Sequence, residues 1–254
     1  MISRTILVNY LDSYLKIHDI EDNHWNGLQI EGKETIKKIA YAVDAGISTF
    51  QKSIACNADM ILVHHGHYFK ATSPLLVGWR KERVQMLLEK DISLYAVHLP
   101  LDCHPEVGNN AQLFELLGAR PEQPFDFVKS KNISWIGSFE QPKTIQEIET
   151  LLNTSLPTTC KTLPFGPKHI KTVAISSGGA GYRGFSQALD ARVDLYISGD
   201  AVEIYQTAKD AKMNIIFAGH YATETLGIKA LADHVKQKFN NFTCLILGSA
   251  LFRY

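Results

Sequence analysis

The sequence has no C-x-x-C pair, no long apolar run and no excess of charge of either sign. Its four cysteines, Cys56, Cys103, Cys160 and Cys244, are scattered, which excludes zinc-ribbon and thioredoxin-type motifs. Cys103 stands out only because it adjoins Asp102. The longest apolar run, Cys244 to Phe252, is broken by Gly248 and Ser249 and falls well short of the ~20 residues of a membrane helix. Near the N-terminus, Asn9, Asp12 and Lys16 interrupt what would have to be the apolar core of a secretory leader. A chain of 254 residues without such a leader is expected to keep its thiols reduced, in the cytoplasm. Lys+Arg and Asp+Glu are both 26, and no stretch is dense in Lys or Arg. That balance removes the general electrostatic drive toward a nucleic-acid backbone. A 45% apolar, 20% charged chain is also not a disordered one. The expectation is a soluble globular protein of one large or two ordinary domains, with a small-molecule partner.

What is there is a regular alternation of elements. Ile6 to Ile17 carries apolar residues at helical spacing (Ile6, Leu7, Tyr10, Leu11, Tyr14, Leu15), and Asn26-Gly27 marks a turn. Short apolar strands follow at Lys38–Asp44, Ala58–Val63 and Ser93–Val97, with helical stretches at 49–57, 79–90 and 110–117. Pro121 to Pro124 reads as a boundary. Beyond it come a strand near 133–139, a helix near 145–152 and a loop containing Pro157, Pro164 and Pro167. The first pattern then restarts. Thr172–Ser176 parallels the strand before Asp44, Ala191–Asp200 parallels Asn57–His65 with Asp194 opposite Asp59, and Asn214–His220 parallels Asp91–His98. His98-x-x-x-Asp102 is answered by His220-x-x-x-Glu224. The spacing predicts an α/β fold of two duplicated halves with mainly parallel sheets. Residues 1–125 form the first half and 126–239 the second, with a C-terminal strand at about 240–254 packing on the first.

Histidine placement carries the chemistry. Ten are present, and several follow directly on apolar strands, where parallel sheets collect their ligands. Two adjacent imidazoles, His64 and His65, are hard to bury without partners, and imidazole is the commonest side-chain metal ligand. Asp102 and Glu224 each stand beside a further strand-end histidine. His64, His65, Asp102, His220 and Glu224 form a mixed nitrogen and oxygen set suited to Zn, Fe, Mn, Co or Ni. Five donors exceed what one open catalytic zinc needs, but suit two divalent ions bridged by a carboxylate, here Glu224, and a water. Taken singly, either His/acid pair serves equally well as a helix cap or an ion pair. His67 is expected beside the site. His18, His24, His104, His169 and His234 are expected in surface or packing positions.

One motif competes. Gly179-Ala180-Gly181-Tyr182-Arg183-Gly184 is a literal G-x-G-x-x-G after a strand, and Asp200 closes the next strand. This is the layout of a dinucleotide fingerprint, and with it of an NAD(P)-dependent oxidoreductase. It leaves the histidines unexplained, and a tight strand-to-helix turn accounts for the glycines as well.

Several motifs together resemble a known family. Asp22-Asn23-His24-Trp25-Asn26-Gly27-Leu28-Gln29-Ile30, Leu62-Val63-His64-His65-Gly66-His67-Tyr68-Phe69, His98-Leu99-Pro100-Leu101-Asp102 with Asn109-Asn110, Ser198-Gly199-Asp200 and Gly219-His220-Tyr221-Ala222-Thr223-Glu224 occur in the order found in the GTP cyclohydrolase I type 2 homolog family, the Nif-three-like dinuclear metal proteins. The likeness spans essentially the whole chain and is to the short form, without an inserted domain. Trp25-Asn26 before Gly27 departs from the simpler Asp-Asn-x-Gly pattern. The resemblance implies two linked α/β domains, a dinuclear centre at strand C-terminal ends between them, and a ring-shaped homohexamer. By that match His64, His65, Asp102, His220 and Glu224 are metal ligands, and His98 lies near them in a role of proton transfer. The implied activity is hydrolytic, with metal-activated water attacking a nucleotide or pterin-like substrate. The alternative is a non-catalytic regulatory or metal-delivery protein.

Overall fold

The computed structural model describes residues 1–239 and 243–246. It divides into two compact units, one made of Met1–Leu101 with the described residues from 228 to 246, the other of Asp102–Gly227.

In the first unit, β1 (Ile2–Ser3) pairs antiparallel with β3 (Thr35–Ile36). Helix α1 (Arg4–Leu15) buries Leu7, Leu11 and Leu15, one row at i, i+4, i+8. Ser3 caps it by accepting from the Ile6 amide, and Lys16 ends it in the left-handed region at φ 51°. The main sheet runs β13-β4-β5-β6-β2. Its members are β2 (Gly27–Ile30), β4 (Lys38–Asp44), β5 (Met60–His65), β6 (Ser93–Ala96) and β13 (Thr243–Ile246). β13, β4, β5 and β6 are mutually parallel in that order, and β2 closes the far edge antiparallel to β6. The rest of the stretch expected as a C-terminal strand lies outside the described residues. The central strands are buried along nearly their full length rather than alternating, because both faces of a parallel sheet are covered. On one face, Phe50 of α2 (Ile47–Ala55) and Val84 and Leu87 of α3 (Trp79–Glu89) pack on Ala40, Ala42, Ile61, Val63 and Leu94. One turn, α4 (Leu99–Asp102), follows β6.

The second unit starts with α5 (Asn109–Leu117) and the hairpin β7 (Ala119–Val128) and β8 (Lys131–Lys143). Helix α6 (Ile145–Ser155) carries a capping box between Thr144 and Glu147. Then come β9 (Lys161–Pro164), β10 (Ile170–Ser176), α7 (Gly181–Asp190), β11 (Leu195–Ser198), α8 (Tyr205–Asp210), β12 (Asn214–Phe217) and the start of α9 (His220–Lys238), whose residues from 228 on count with the first unit. The sheet order is β7-β8-β10-β11-β12-β9, parallel through β10-β11-β12 and antiparallel at both flanks. Ile148 and Leu152 pack on one face with Leu113 and Phe114; Phe185 and Ala208 pack on the other. The α/β class with parallel sheet centres is as expected.

Two details differ from the sequence reading. Pro121 and Pro124 do not break the chain; they lie inside β7, at the sheet edge, where a residue without an N–H is tolerated, and the ladder shifts register between Pro121 and Gln123. The proline-bearing segment expected as a loop contains β9, whose Pro164 also sits on an edge strand.

Candidate metal-binding residues

In the first unit the parallel strands β4, β5 and β6 end on the same edge and deliver their last residues together. Asp44 and His65 are register partners at the ends of β4 and β5, and His98 follows β6. His64, fully buried, donates from Nδ1 to the Val97 carbonyl at 2.9 Å. His65 donates from Nδ1 to Asp44 Oδ1 at 2.9 Å, and His98 from Nδ1 to the Asp22 carboxylate at 2.9 and 3.2 Å. In each case the proton on Nδ1 fixes the tautomer that leaves the Nε2 lone pair as the ligand atom. The three histidines each offer a ligand atom within 4.8 Å of the others, and the His64 and His65 ring centroids lie 4.6 Å apart. The structure thus brings His64 and His65, expected as ligands, together with His98, expected near them.

Asp22 holds that arrangement. Its carboxylate, 2% exposed, accepts from His98, from the His24 and Leu99 amides and from Asn26 Nδ2. Asn26 Oδ1 in turn accepts from the His98 amide at 2.8 Å. Burial would raise the Asp22 carboxyl, but the hydrogen bond from His98, that ring's charge and the other donors outweigh it and hold it well below the usual range. The unusual Trp25-Asn26 therefore leaves the loop's work intact, because Asn26 is one of its working residues. His24 is a packing residue. It accepts from the Gly66 amide at 2.8 Å, sits edge-on to Phe69, and is pushed down to about 3, first by burial and then by neighbouring imidazoles.

The second unit presents acids. Asp102 Oδ1 accepts from Asn109 Nδ2 at 2.8 Å and from Ser177 Oγ at 3.1 Å. Asn109 Oδ1 accepts from the Gly227 amide in α9, and Asn110 Oδ1 from the Ser177 amide. The Asn109-Asn110 pair therefore fixes Asp102 to its own α/β frame. His220 opens α9 and Glu224 follows it at i+4, with His220 Nε2 3.1 Å from Glu224 Oε1. His220 Nδ1 lies 2.8 Å from Asp200 Oδ2. Burial opposes charge on this ring, but Glu224 and Asp200 outweigh it and raise His220 to about 10. Two carboxylates that stabilise a proton this strongly make a field suited to a cation.

The glycine loop belongs to this frame. A Cβ on Gly178 would fall 2.2 Å from Glu224 Oε1, and one on Gly179 2.6 Å from Asp200 Oδ2. A side chain at either position would have to displace the acid packed against the backbone, and Gly178 also has a positive φ of 61°. Asp200, the acid a dinucleotide fingerprint would turn toward a ribose, is engaged by His220. The acids backing the imidazoles, Asp22, Asp44 and Asp200, were not assigned that role from sequence. The available signal was an acid at the end of a neighbouring strand or in the motif preceding β2.

Histidine nitrogens with fixed tautomers and carboxylates in this mixture could hold divalent first-row metals, which lower the pKa of bound water. Among the described residues no helix is long and apolar enough to cross a membrane. Comparison with known proteins finds relatives that match nearly the whole chain. A GTP cyclohydrolase 1 type 2 homolog from Pyrococcus abyssi is 43% identical over 245 residues, 96% of this chain and 97% of the relative. The solved structure of TTHA1606 from Thermus thermophilus superposes with a TM-score of 0.87 at 35% identity, covering 98% of this chain and all of that one. The structure of protein ybgI, described as of unknown function, gives 0.91 at 32% identity over 98% and 99% of the two chains. Residues 2–250 match the Duf34/NIF3 (NGG1p interacting factor 3) family, and the chain belongs to it.

Proposed function

We propose that this protein is a dinuclear metal-dependent hydrolase in which His64, His65, Asp102, His220 and Glu224 hold two divalent ions. The observation that supports this most directly is the shared anchoring of the imidazoles: His64, His65 and His220 each commit Nδ1 to an oxygen acceptor, the arrangement that supports metal-ligating histidine. The number and mixture of donors suit two ions, with Glu224 able to bridge. Such ions supply hydroxide near neutral pH and polarise a substrate oxygen. His98, held by Asp22 through Nδ1, carries a proton at Nε2 to or from the substrate. The relatives' name, GTP cyclohydrolase 1 type 2 homolog, points to a nucleotide or pterin-like substrate. Homohexameric assembly follows from the family resemblance. A cytoplasmic setting fits Cys56 and Cys160, which are unbridged thiols.

The test is elemental analysis followed by a nucleotide hydrolysis screen with the metal found. About two ions per chain are expected, with turnover lost in Glu224→Gln. Full metal loading without turnover of any nucleotide would overturn the hydrolase and leave metal delivery or regulation as the function.

A further inference from the structure

A group of cationic and aromatic side chains in the first unit has no part in holding metal. Trp79 opens α3 with its indole 51% exposed, and two guanidinium groups lie over it, Arg80 Cζ at 4.4 Å and Arg83 Cζ at 4.9 Å from the ring centroid. Both arginines are half-buried. Arg83 Nε is fully buried and has no acceptor among the described residues. Burial also lowers the Arg83 guanidinium, even with the Asp44 charge nearby. A cation in that position is short of an anion. His67, 8% exposed, lies edge-on to Trp79 at 6.3 Å, and its Nδ1 likewise lacks a partner among the described residues.

The amino end of α2 faces the same place. Its cap is Gly46, with no side-chain hydrogen bond and no acid in the first turn. The first intrahelical bond runs from the Phe50 amide to the Gly46 carbonyl, so the preceding amides have no acceptor in the helix. A Cβ on Gly46 would sit 4.0 Å from Arg83 Nη2. Opposing acids are few: Asp44 is held by His65, and Glu82 is exposed on α3. Guanidinium groups, free helix amides and an imidazole together match the oxygens of a phosphoryl group.

We infer that His67, Arg80, Arg83 and the amino end of α2 form a subsite for a phosphoryl group, with Trp79 beside it as a face on which a planar ring can stack. This rests on the proposed small-molecule site and narrows its substrate to a phosphorylated compound, because Asp44, next to the subsite, is the residue that orients His65. The subsite binds phosphate through protein groups alone and needs no ion.

Inorganic tripolyphosphate, titrated by calorimetry and by tryptophan fluorescence into chelator-treated full-length protein, is the probe. Saturable binding is expected, unchanged in Glu224→Gln. Arg80→Gln and Arg83→Gln should each weaken it about tenfold, the loss expected for one charge-assisted hydrogen bond. Trp79→Phe should abolish the fluorescence response while the calorimetric signal persists. The inference is overturned if the wild type does not bind at millimolar tripolyphosphate, or if both arginine variants, folded by circular dichroism, bind as the wild type does. It is also overturned if binding appears only with added zinc and disappears in Glu224→Gln, since phosphate would then be held by metal. Arginine-dependent binding in a protein that takes up no metal would instead retain the subsite and remove the dinuclear reading.

Discussion

The two units solve the same architectural problem with the same local devices and then diverge in the donors they present. In the first, Asp59 Oδ2 accepts from the Lys37 and Lys38 amides at the start of β4, at 2.8 and 2.9 Å; in the second, Asp194 Oδ2 accepts from the Lys171 and Thr172 amides at the start of β10, both at 2.9 Å. The Gly32 amide donates to Ser93 Oγ, and the Gly166 amide to Asn214 Oδ1, each pair tying the antiparallel edge strand to the third parallel strand. The order β4-β5-β6-β2, three parallel strands and an antiparallel edge, recurs as β10-β11-β12-β9, with β13 added in parallel to the first sheet and the β7-β8 hairpin to the second. Yet the first unit offers three imidazoles at its strand ends, while the second offers Asp102, Glu224 and a single histidine flanked by acids. The lesson is that the shared strand order fixes where donors stand, at the carboxyl ends of parallel strands, and leaves their charge free to differ. In general, imidazole nitrogens suit borderline first-row ions and carboxylate oxygens bring negative charge.

Breaking the frame where it touches an acid should give the largest effect. Gly178 has φ +61° and lies against Glu224, whereas Gly181 has φ +60° and faces open space. Gly178→Ala should displace the Glu224 carboxylate and lose metal as completely as Glu224→Gln, by elemental analysis. Gly181→Ala should retain metal and lose only about 1–2 kcal/mol of stability, the cost of a left-handed backbone with a Cβ. Next come the acids behind the imidazoles. Asp44→Asn and Asp200→Asn should each lower metal affinity about 10–100-fold in chelator competition. An effect confined to one of them would show that the units do not share the burden.

The frame itself gives a smaller effect. Asp59→Ala and Asp194→Ala each strand two amides and should cost about 1–3 kcal/mol by urea denaturation. Similar losses would confirm equivalent roles, and a loss in only one would end the parallel. A further expectation is a pH effect on acidification that arises in the first unit. His24 is lowered to about 3 from 6.5, so its contribution to stability is complete above pH 6.5 and declines as pH falls toward 3. Asp22 is depressed, so its contribution is present above its ordinary value of 3.8 and fades below that. Chelator-treated protein should therefore lose stability on acidification from pH 6.5, and His24→Asn should flatten that slope between pH 6.5 and 4.

Much of this was legible in the residues. The strands around Val43, Val63, Val97 and Ile175 can be read as short apolar runs and the leucine row of α1 by its helical spacing, and the correspondence of Asp59 with Asp194 by aligning two stretches of text. His64 and His65 announced themselves because paired imidazoles at a strand end need a reason to be there. The strand β9 is hidden in the sequence because Pro164, with Pro157 and Pro167 on either side of the strand, reads as loop, and Pro121 and Pro124 disguise β7 in the same way. In both cases an edge position, which is a property of the sheet, makes proline acceptable. The glycine motif was ambiguous because a glycine is silent about what approaches it.

By itself the sequence determined the types of donor, their positions after strands and the repeated α/β grammar, all of which depend on neighbours a few residues away. Only the tertiary structure decided which acid stands behind which imidazole: Asp22 behind His98, 76 residues apart, Asp44 behind His65, and Asp200 behind His220. Such pairings arise when separate strands end side by side, and the register that aligns them is set by packing across the whole sheet, which no local pattern encodes.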